Sequence, residues 1–383
     1  MHCRHAGVCG GCGLLHLSYP DQLAGKEASL RRLLGPFLPP TRQPLFIPVE
    51  SQAEAPEHFR HKVSFVFAPA PTGRGLVMGH YQRGSRRVVA VDDCPVHSAR
   101  GNTIAFALRD HLQRAGISAA GPTLDGILRH LIVRTTSDER QAVAMLVVTR
   151  NDKSLRAPIR AFLESAERPD GFFVNVHDED SPYMVGERTL KIDGVAHVRE
   201  QVGGISYLIS PTAFFQTNTE AAAVLQSYVV DAVAGARRVL DLYCGSGLFS
   251  LPIAAAGART LGVEENRQAI DDAALNARLN HIPTSRVRFI AARVEDAVRS
   301  ASREPWDAVI LDPPRQGCSD QVLEAVFQEM APPRVVYVSC NPESLAAELP
   351  GIVQCGYEVD ELRAVDMFPH TEHVEAVVRL RLA

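Results

Sequence analysis

No run of 18 apolar residues occurs anywhere in the 383-residue chain, so no segment is long enough to cross a bilayer as a helix. The amino terminus, Met1-His-Cys-Arg-His, has no apolar h-region either. Together these point to a cytoplasmic protein with no membrane partner. Charge of one sign is equally scarce: 40 Lys and Arg against 44 Asp and Glu leave a formal net charge of −4, which neither demands nor excludes a polyanionic partner. Internal repeats and low-complexity tracts are missing, and with them the solenoid and disordered classes. What is present is 46% hydrophobic residues, enough for two or three cored domains of roughly 100 to 200 residues each. Eight cysteines without a secretion signal point to metal ligands or catalytic thiols rather than disulfides.

Three of those cysteines open the chain as Cys3-x5-Cys9-Gly-Gly-Cys12-Gly. Glycines between closely spaced cysteines let a backbone wrap a metal centre without steric cost. Three thiolates are one too few for a closed site. The best fourth is Cys94, in Val91-Asp-Asp-Cys-Pro95, since a proline commonly follows an iron-sulfur ligand. Four thiolates suit a tetrahedral zinc or a [4Fe-4S] cluster, and ligand type alone does not separate them. The C-x3-C-x2-C spacing of radical enzymes is lacking, which argues against a redox role.

Residues 58 to 91 hold Arg60, Lys62, Arg74, Arg83, Arg86 and Arg87 and no acidic residue, a local positive surface in an acidic chain. Alternating Val63, Phe65 and Phe67 place it on strands, with turns near Pro69 and Arg83-Gly84. A basic sheet of this kind is the footprint expected for RNA, whose phosphates supply affinity. The spacing of Leu23, Leu30, Leu33 and Leu34 predicts a helix over 22–34, and 99–115 predicts another. Strands follow at 128–133, 142–148 and 172–176.

From Ser210 onward the pattern alternates strand and helix, with strands near 238–242, 259–263, 287–291, 306–311 and 335–339. That is the signature of a doubly wound parallel sheet of the α/β class. The last two strands, near 358–366 and 374–382, have no crossover helix between them and should pair antiparallel. Thr217 and Glu220 suggest a capping box at the start of the first helix.

Val239-Leu-Asp-Leu-Tyr-Cys-Gly-Ser-Gly247 is a strand entering a glycine turn, where Gly245 and Gly247 let backbone approach a ligand closely. Ser250 replaces the third glycine of a dinucleotide fingerprint, which argues against NAD. Glu264 ends the next strand, 21 residues after Tyr243, where a carboxylate can accept both ribose hydroxyls. These features resemble the class I S-adenosylmethionine (SAM) methyltransferases. Asp312-Pro-Pro-Arg315, Phe214-Phe-Gln216, Ser339-Cys-Asn-Pro342 and the stretch Asp366 to Glu375 all fall at the same sheet edge. Because the final strand runs antiparallel, its beginning brings Glu375 towards Cys340 and Asp312.

With these motifs, Phe59-Arg-His-Lys62 and the cysteine cluster, nearly the whole chain resembles the RNA (uracil-C5)-methyltransferase family, makers of 5-methyluridine in bacterial 23S rRNA and tRNA. The resemblance implies a Rossmann-like methyltransferase domain with a mixed seven-stranded sheet over 211–383. Before it would lie an iron-sulfur and basic RNA-binding region over 1–98 and a central α+β domain over 99–210. It implies a [4Fe-4S] cluster on Cys3, Cys9, Cys12 and Cys94, which is found in members acting on 23S rRNA. The chain is most similar to the shorter RumB/RlmC type without a TRAM domain.

It further implies that Cys340 adds to C6 of a uracil so that C5 can take the SAM methyl, with Glu375 as the base. A thiol with a pKa near 8.5 has a few per cent thiolate at neutral pH, so activation on approach is expected. Gln216 and Asp312 would face the base or the cofactor, and Tyr243, Gly245, Gly247 and Glu264 the cofactor. The chain departs from the pattern at Leu248, and Ala291-Ala-Arg293 offers no clear contact for adenine. The target would be a flipped uridine in a single-stranded loop of 23S rRNA, with no obligate protein partner. Alternatives are a tRNA uridine-C5 methyltransferase and a non-catalytic metal-stabilised RNA-binding protein.

Overall fold

The computed structural model describes residues 2–38, 45–47 (backbone only), 56–70, 75–121, 124–181 and 184–383. Arg74 of the basic stretch lies outside them. The chain forms two compact units. One gathers Met1–His16, Ala55–Glu200 and Ile209–Thr212, and the other Leu17–Glu54, Gln201–Leu208 and Ala213–Ala383. Among the described residues, no helix is long and apolar enough to cross a membrane.

The first unit is built on a seven-stranded sheet in the spatial order Val88–Ala90, Leu76–Tyr81, Lys62–Pro69, Leu128–Thr135, Ala142–Val148, Gly171–Val176, Arg188–Gly194. Neighbours pair antiparallel except Ala142–Val148 with Gly171–Val176. Those two are joined through the helix Arg156–Leu163, the crossover that a parallel pair requires. Along Lys62–Pro69 the period-2 pattern sends Val63, Phe65 and Phe67 into the core. There they meet Ile104 and Leu108 of the helix Ala99–Arg114, and Phe162.

The second unit carries an eight-stranded sheet in the order Leu45–Ile47, Tyr357–Val365, Glu375–Leu382, Arg334–Ser339, Ala308–Leu311, Arg238–Leu242, Arg259–Glu264, Val287–Ala291. Glu375–Leu382 alone runs against its neighbours, as its missing crossover helix requires. The sheet thus has one strand more than the seven expected. Leu45–Ile47 adds parallel to the edge strand Tyr357–Val365, at only three residues too short to show a period.

The helix Tyr19–Leu34 also groups with the second unit, although the sequence-based boundary after residue 98 assigns it to the first region. Leu30 and Leu34 join the same apolar cluster as Tyr337, Leu349 and Leu362. Within it, Lys26 Nζ donates to Asp366 Oδ1 at 2.6 Å and to the Phe368 carbonyl at 3.1 Å, and Tyr19 donates to Asp366 Oδ2 at 3.0 Å. Both members of this ion pair are buried, so burial pulls the Lys26 ammonium pKa down while Asp366 holds it up. The helix Thr219–Ala232 is capped by Asn218, which accepts from the Ala221 amide at 3.2 Å, rather than by Thr217.

Candidate active site

Beyond the carboxyl ends of the parallel strands the second unit opens a cleft of about 600 Å³. Ligands of open α/β sheets bind at this edge. Its floor is the turn after Arg238–Leu242. Tyr243, Gly245 and Gly247 all have positive φ, at 67°, 51° and 88°. A Cβ on Gly247 would lie 3.0 Å from Leu251 Cγ, a tight contact that adds to the conformational demand for glycine there. Glu264 ends Arg259–Glu264, and its carboxylate accepts from the Gly245 amide at 3.2 Å and the Asn266 amide at 2.8 Å. That carboxylate is fixed at the cleft wall before any ligand arrives. Ser246 Oγ is buried with no hydrogen-bond partner among the described residues, a polar atom waiting for one.

At the other end of the cleft, Cys340 follows Arg334–Ser339. Ser339 Oγ donates to the Asn341 carbonyl at 2.9 Å and accepts from its amide at 3.2 Å, a local bond that turns the strand into the helix Pro342–Gln354. Ser339 stands opposite Ala376 in the antiparallel ladder, so Cys340 and Glu375 are the next facing positions at the sheet edge. Asp312, Arg315 and Gln216 line the same cleft, together with the exposed ring of Phe214.

The electrostatics of this end are acidic. Burial, then Glu375 and Asp312, push the Cys340 thiol up to about 11, against a lowering by Arg315. Burial first, and then the two facing carboxyl groups, thus hold the resting thiol below the few per cent of thiolate expected of an unperturbed cysteine. Burial raises Glu375 to about 7, opposed by Arg315. Burial, then Glu375, also lifts Asp312 well above the usual carboxylate range. A protonated thiol beside carboxyls with raised pKa values is an arrangement that can pass a proton in either direction.

The residues singled out from the sequence thus meet in one cleft: Gln216, Tyr243, Gly245, Glu264, Asp312, Cys340 and Glu375. Gly247 sits in its floor turn. Sequence reading missed Asn266 and Glu295 as cleft residues, whereas Arg315 stands in the Asp312-Pro-Pro-Arg315 stretch it had placed at this edge. Asn266 and Glu295 supply an amide and a carboxylate on the wall that Arg293 also lines, groups that Ala291 to Arg293 did not offer. The one available signal for Glu295 was an acid in the first turn of a helix, Val294–Ala301, that follows a parallel strand.

The first unit contains a second, smaller cavity lined by Cys3, Cys9, Cys12 and Cys94. The cysteine loop is held on the hairpin beside it: the Gly10 amide donates to the Tyr81 carbonyl at 2.9 Å, and Cys9 bridges to Gln82. After burial, neighbouring thiols raise one another, Cys12 to about 11 and Cys94 to about 12. Four thiols lining one cavity, with Arg60 among them, are a donor set that fits a thiolate-bound metal centre, whose negative charge the guanidinium would offset. Donor atoms of His80, Cys94 and His97 also lie within 4.8 Å of one another. Those two rings pack against Phe65, at 5.0 and 5.1 Å, as part of the domain core.

The mixed sheet, the glycine turn and the ribose-type carboxylate define the class I SAM-dependent methyltransferase fold. The model of the tRNA (uracil-5-)-methyltransferase family matches residues 18–382, and the chain belongs to that family of RNA uracil-C5 methyltransferases. Its relatives include an uncharacterized RNA methyltransferase of Gloeobacter violaceus, 34% identical over 387 residues that cover 99% of this chain and 82% of that protein. Another, from Geobacter sulfurreducens, is 32% identical over 384 residues, covering 99% and 76%. Among solved structures, Pyrococcus abyssi tRNA (uracil-54, C5)-methyltransferase in complex with S-adenosyl-L-homocysteine is 29% identical with a TM-score of 0.78, covering 99% of this chain and 88% of that one.

Proposed function

We propose that this protein methylates C5 of a uridine in 23S rRNA, using Cys340 as the nucleophile and Glu375 as the base. The observation that carries this is the facing of Cys340 and Glu375 at the edge of one cleft, with Asp312 and Gln216 in its walls. Bound SAM would supply an electrophilic methyl on a sulfonium at the glycine-turn end, held by Glu264 and the open face of Gly245. Uracil C5 is too weak a carbon nucleophile to take that methyl unaided. Addition of Cys340 Sγ to C6 breaks the C5–C6 π bond and moves its electrons into the C4 enolate, which makes C5 nucleophilic. After methylation, Glu375 takes the C5 proton, the C5–C6 double bond re-forms, and the sulfur leaves as thiolate.

The raised thiol pKa has a place in this sequence. Burial, and then two carboxyl groups, keep the sulfur protonated while the cleft holds no substrate. A sulfonium in the same cleft acts in the opposite sense, so thiolate forms when both ligands are present. Gln216, buried and facing the cleft, can pair with the imide edge of the base.

Cys3, Cys9, Cys12 and Cys94 would hold a [4Fe-4S] cluster, the trait that in the resemblance accompanies 23S rRNA as the target. Arg83, Arg86 and Arg87, all exposed on one hairpin turn, would meet flanking phosphates. We place the protein in the cytoplasm, where its RNA is made. A tRNA target is the second reading, favoured by the similarity to the Pyrococcus abyssi enzyme. Incubation with labelled SAM and either 23S rRNA or tRNA, followed by mass spectrometry of the nucleosides, separates them. Label in 5-methyluridine of 23S rRNA alone is expected. Label in tRNA alone overturns the rRNA assignment, and label in neither overturns the reading.

A further inference from the structure

Behind the cleft lies a polar network that the chemistry above does not use. The Glu348 carboxylate, on the helix that follows Cys340, accepts from the Cys318 amide at 2.9 Å and from the Tyr337 hydroxyl at 2.7 Å. Cys318 ends the loop that begins at Asp312. One helical turn earlier, Ser344 Oγ donates to the Arg315 carbonyl at 3.0 Å, and Asn341 Nδ2 donates to the same oxygen at 2.9 Å. The 312–318 loop is thus tied at its middle and its end to the helix whose first turn adjoins Cys340.

The fit admits little slack. A Cβ on Gly317 would fall 1.9 Å from Glu348 Oε1, and Gly317 has a φ of 84°. Cys318 packs against the same apolar cluster as Tyr243, the first positive-φ residue of the cofactor turn. Burial first, then Cys318, Glu295 and a hydrogen bond to Cys318, raise the Tyr243 hydroxyl, which places the phenol and the thiol in contact. One carboxylate therefore joins three walls of the cleft: the Cys340 helix, the Arg315 loop and, through Cys318, the Tyr243 turn.

We infer that Glu348 is a positioning residue, which sets Arg315 and Tyr243 at fixed distance from Cys340 so that methyl donor, base and sulfur align. It rests on the reading of the cleft as the methyltransferase site. Misplacement of reacting groups by about 1 Å costs on the order of 10²-fold in rate, which sets the scale of the expected effect.

The test compares Glu348→Ala, Glu348→Gln, Gly317→Ala and Cys340→Ala in the full-length protein. It measures methyl transfer to whichever RNA the wild type modifies, SAM binding by calorimetry, and thermal unfolding. Glu348→Ala should lower kcat by about 10²-fold and weaken SAM, with the folded fraction unchanged at the assay temperature. Glu348→Gln, whose amide oxygen still accepts from the Cys318 amide, should restore kcat to within about tenfold of wild type. Gly317→Ala should reproduce the Glu348→Ala defect. A Glu348→Ala protein with wild-type kcat and SAM affinity, or one whose loss follows its unfolded fraction, overturns the positioning role. If Cys340→Ala also retains activity, the reading of the cleft falls instead, so the two failures are told apart.

Discussion

The resting state of Cys340 can be titrated directly. With the thiol raised to about 11, against about 8.5 for an unperturbed cysteine, its thiolate fraction at pH 7 falls about 300-fold. A more basic thiolate is intrinsically more reactive, with a Brønsted slope of about 0.4 to 0.5, which returns roughly a factor of ten. Alkylation of Cys340 by iodoacetamide at pH 7 should therefore run about 30-fold slower than that of a free thiol. Peptide mass spectrometry resolves it from the other seven of the eight cysteines.

The position of the inflection matters more than the rate, because partial burial also slows attack. The rate should climb with pH to an inflection near 11 in the wild type. In Glu375→Gln, which removes the largest raising charge, it should move to lower pH. Adding SAM should move it the same way. An inflection near 8.5 that ignores both changes would refute the electrostatic account of the site.

Glu375 also makes stability depend on pH. Its pKa is raised from an ordinary 4.5 to about 7, so between those values the folded protein keeps a proton that the unfolded chain releases. Its contribution therefore falls as pH rises through that window and is lowest above it. Glu375→Gln should lack this fall and gain up to about 3 kcal/mol on wild type at pH 8, read from urea unfolding at pH 4.5 and 8. Lys26→Met strands the buried Asp366 carboxylate and should cost about 3 to 5 kcal/mol in the same assay, whereas a surface pair would cost under about 1. Cys94→Ser should lose the visible iron-sulfur absorption and bound iron of anaerobically purified protein. A wild-type preparation that is colourless with one zinc per chain would contradict the cluster.

The parallel sheet was legible because each of its strands is a short apolar run followed by a helix, a pattern that admits few folds. The antiparallel last strand was legible for a related reason, since 12 residues or so of crossover are missing before it. Cys340, Asp312 and Glu375 could be named as neighbours because all three sit at strand ends, and topology alone decides which ends share an edge. What the sequence hid depends on contacts distant along the chain. The helix Tyr19–Leu34 reads as amphipathic wherever it docks, and its place is set by Lys26 meeting Asp366, 340 residues away. The raised thiol pKa was hidden for the same reason, since its largest cause is burial, which no local pattern fixes. The 312–318 clamp is built from Glu348, which on a helical wheel looks like any solvated acid.

The covalent bond between protein and base is the claim on which the rest depends. Glu375→Gln should add to the uridine and take up the methyl but fail to remove the C5 proton, so the adduct should accumulate. Digestion of that mixture with nuclease and protease, followed by mass spectrometry, should find a methylated nucleotide attached to the peptide that contains Cys340. A wild-type protein that yields 5-methyluridine, while neither it nor Glu375→Gln ever carries nucleotide on Cys340 and Cys340→Ala turns over normally, would contradict the account.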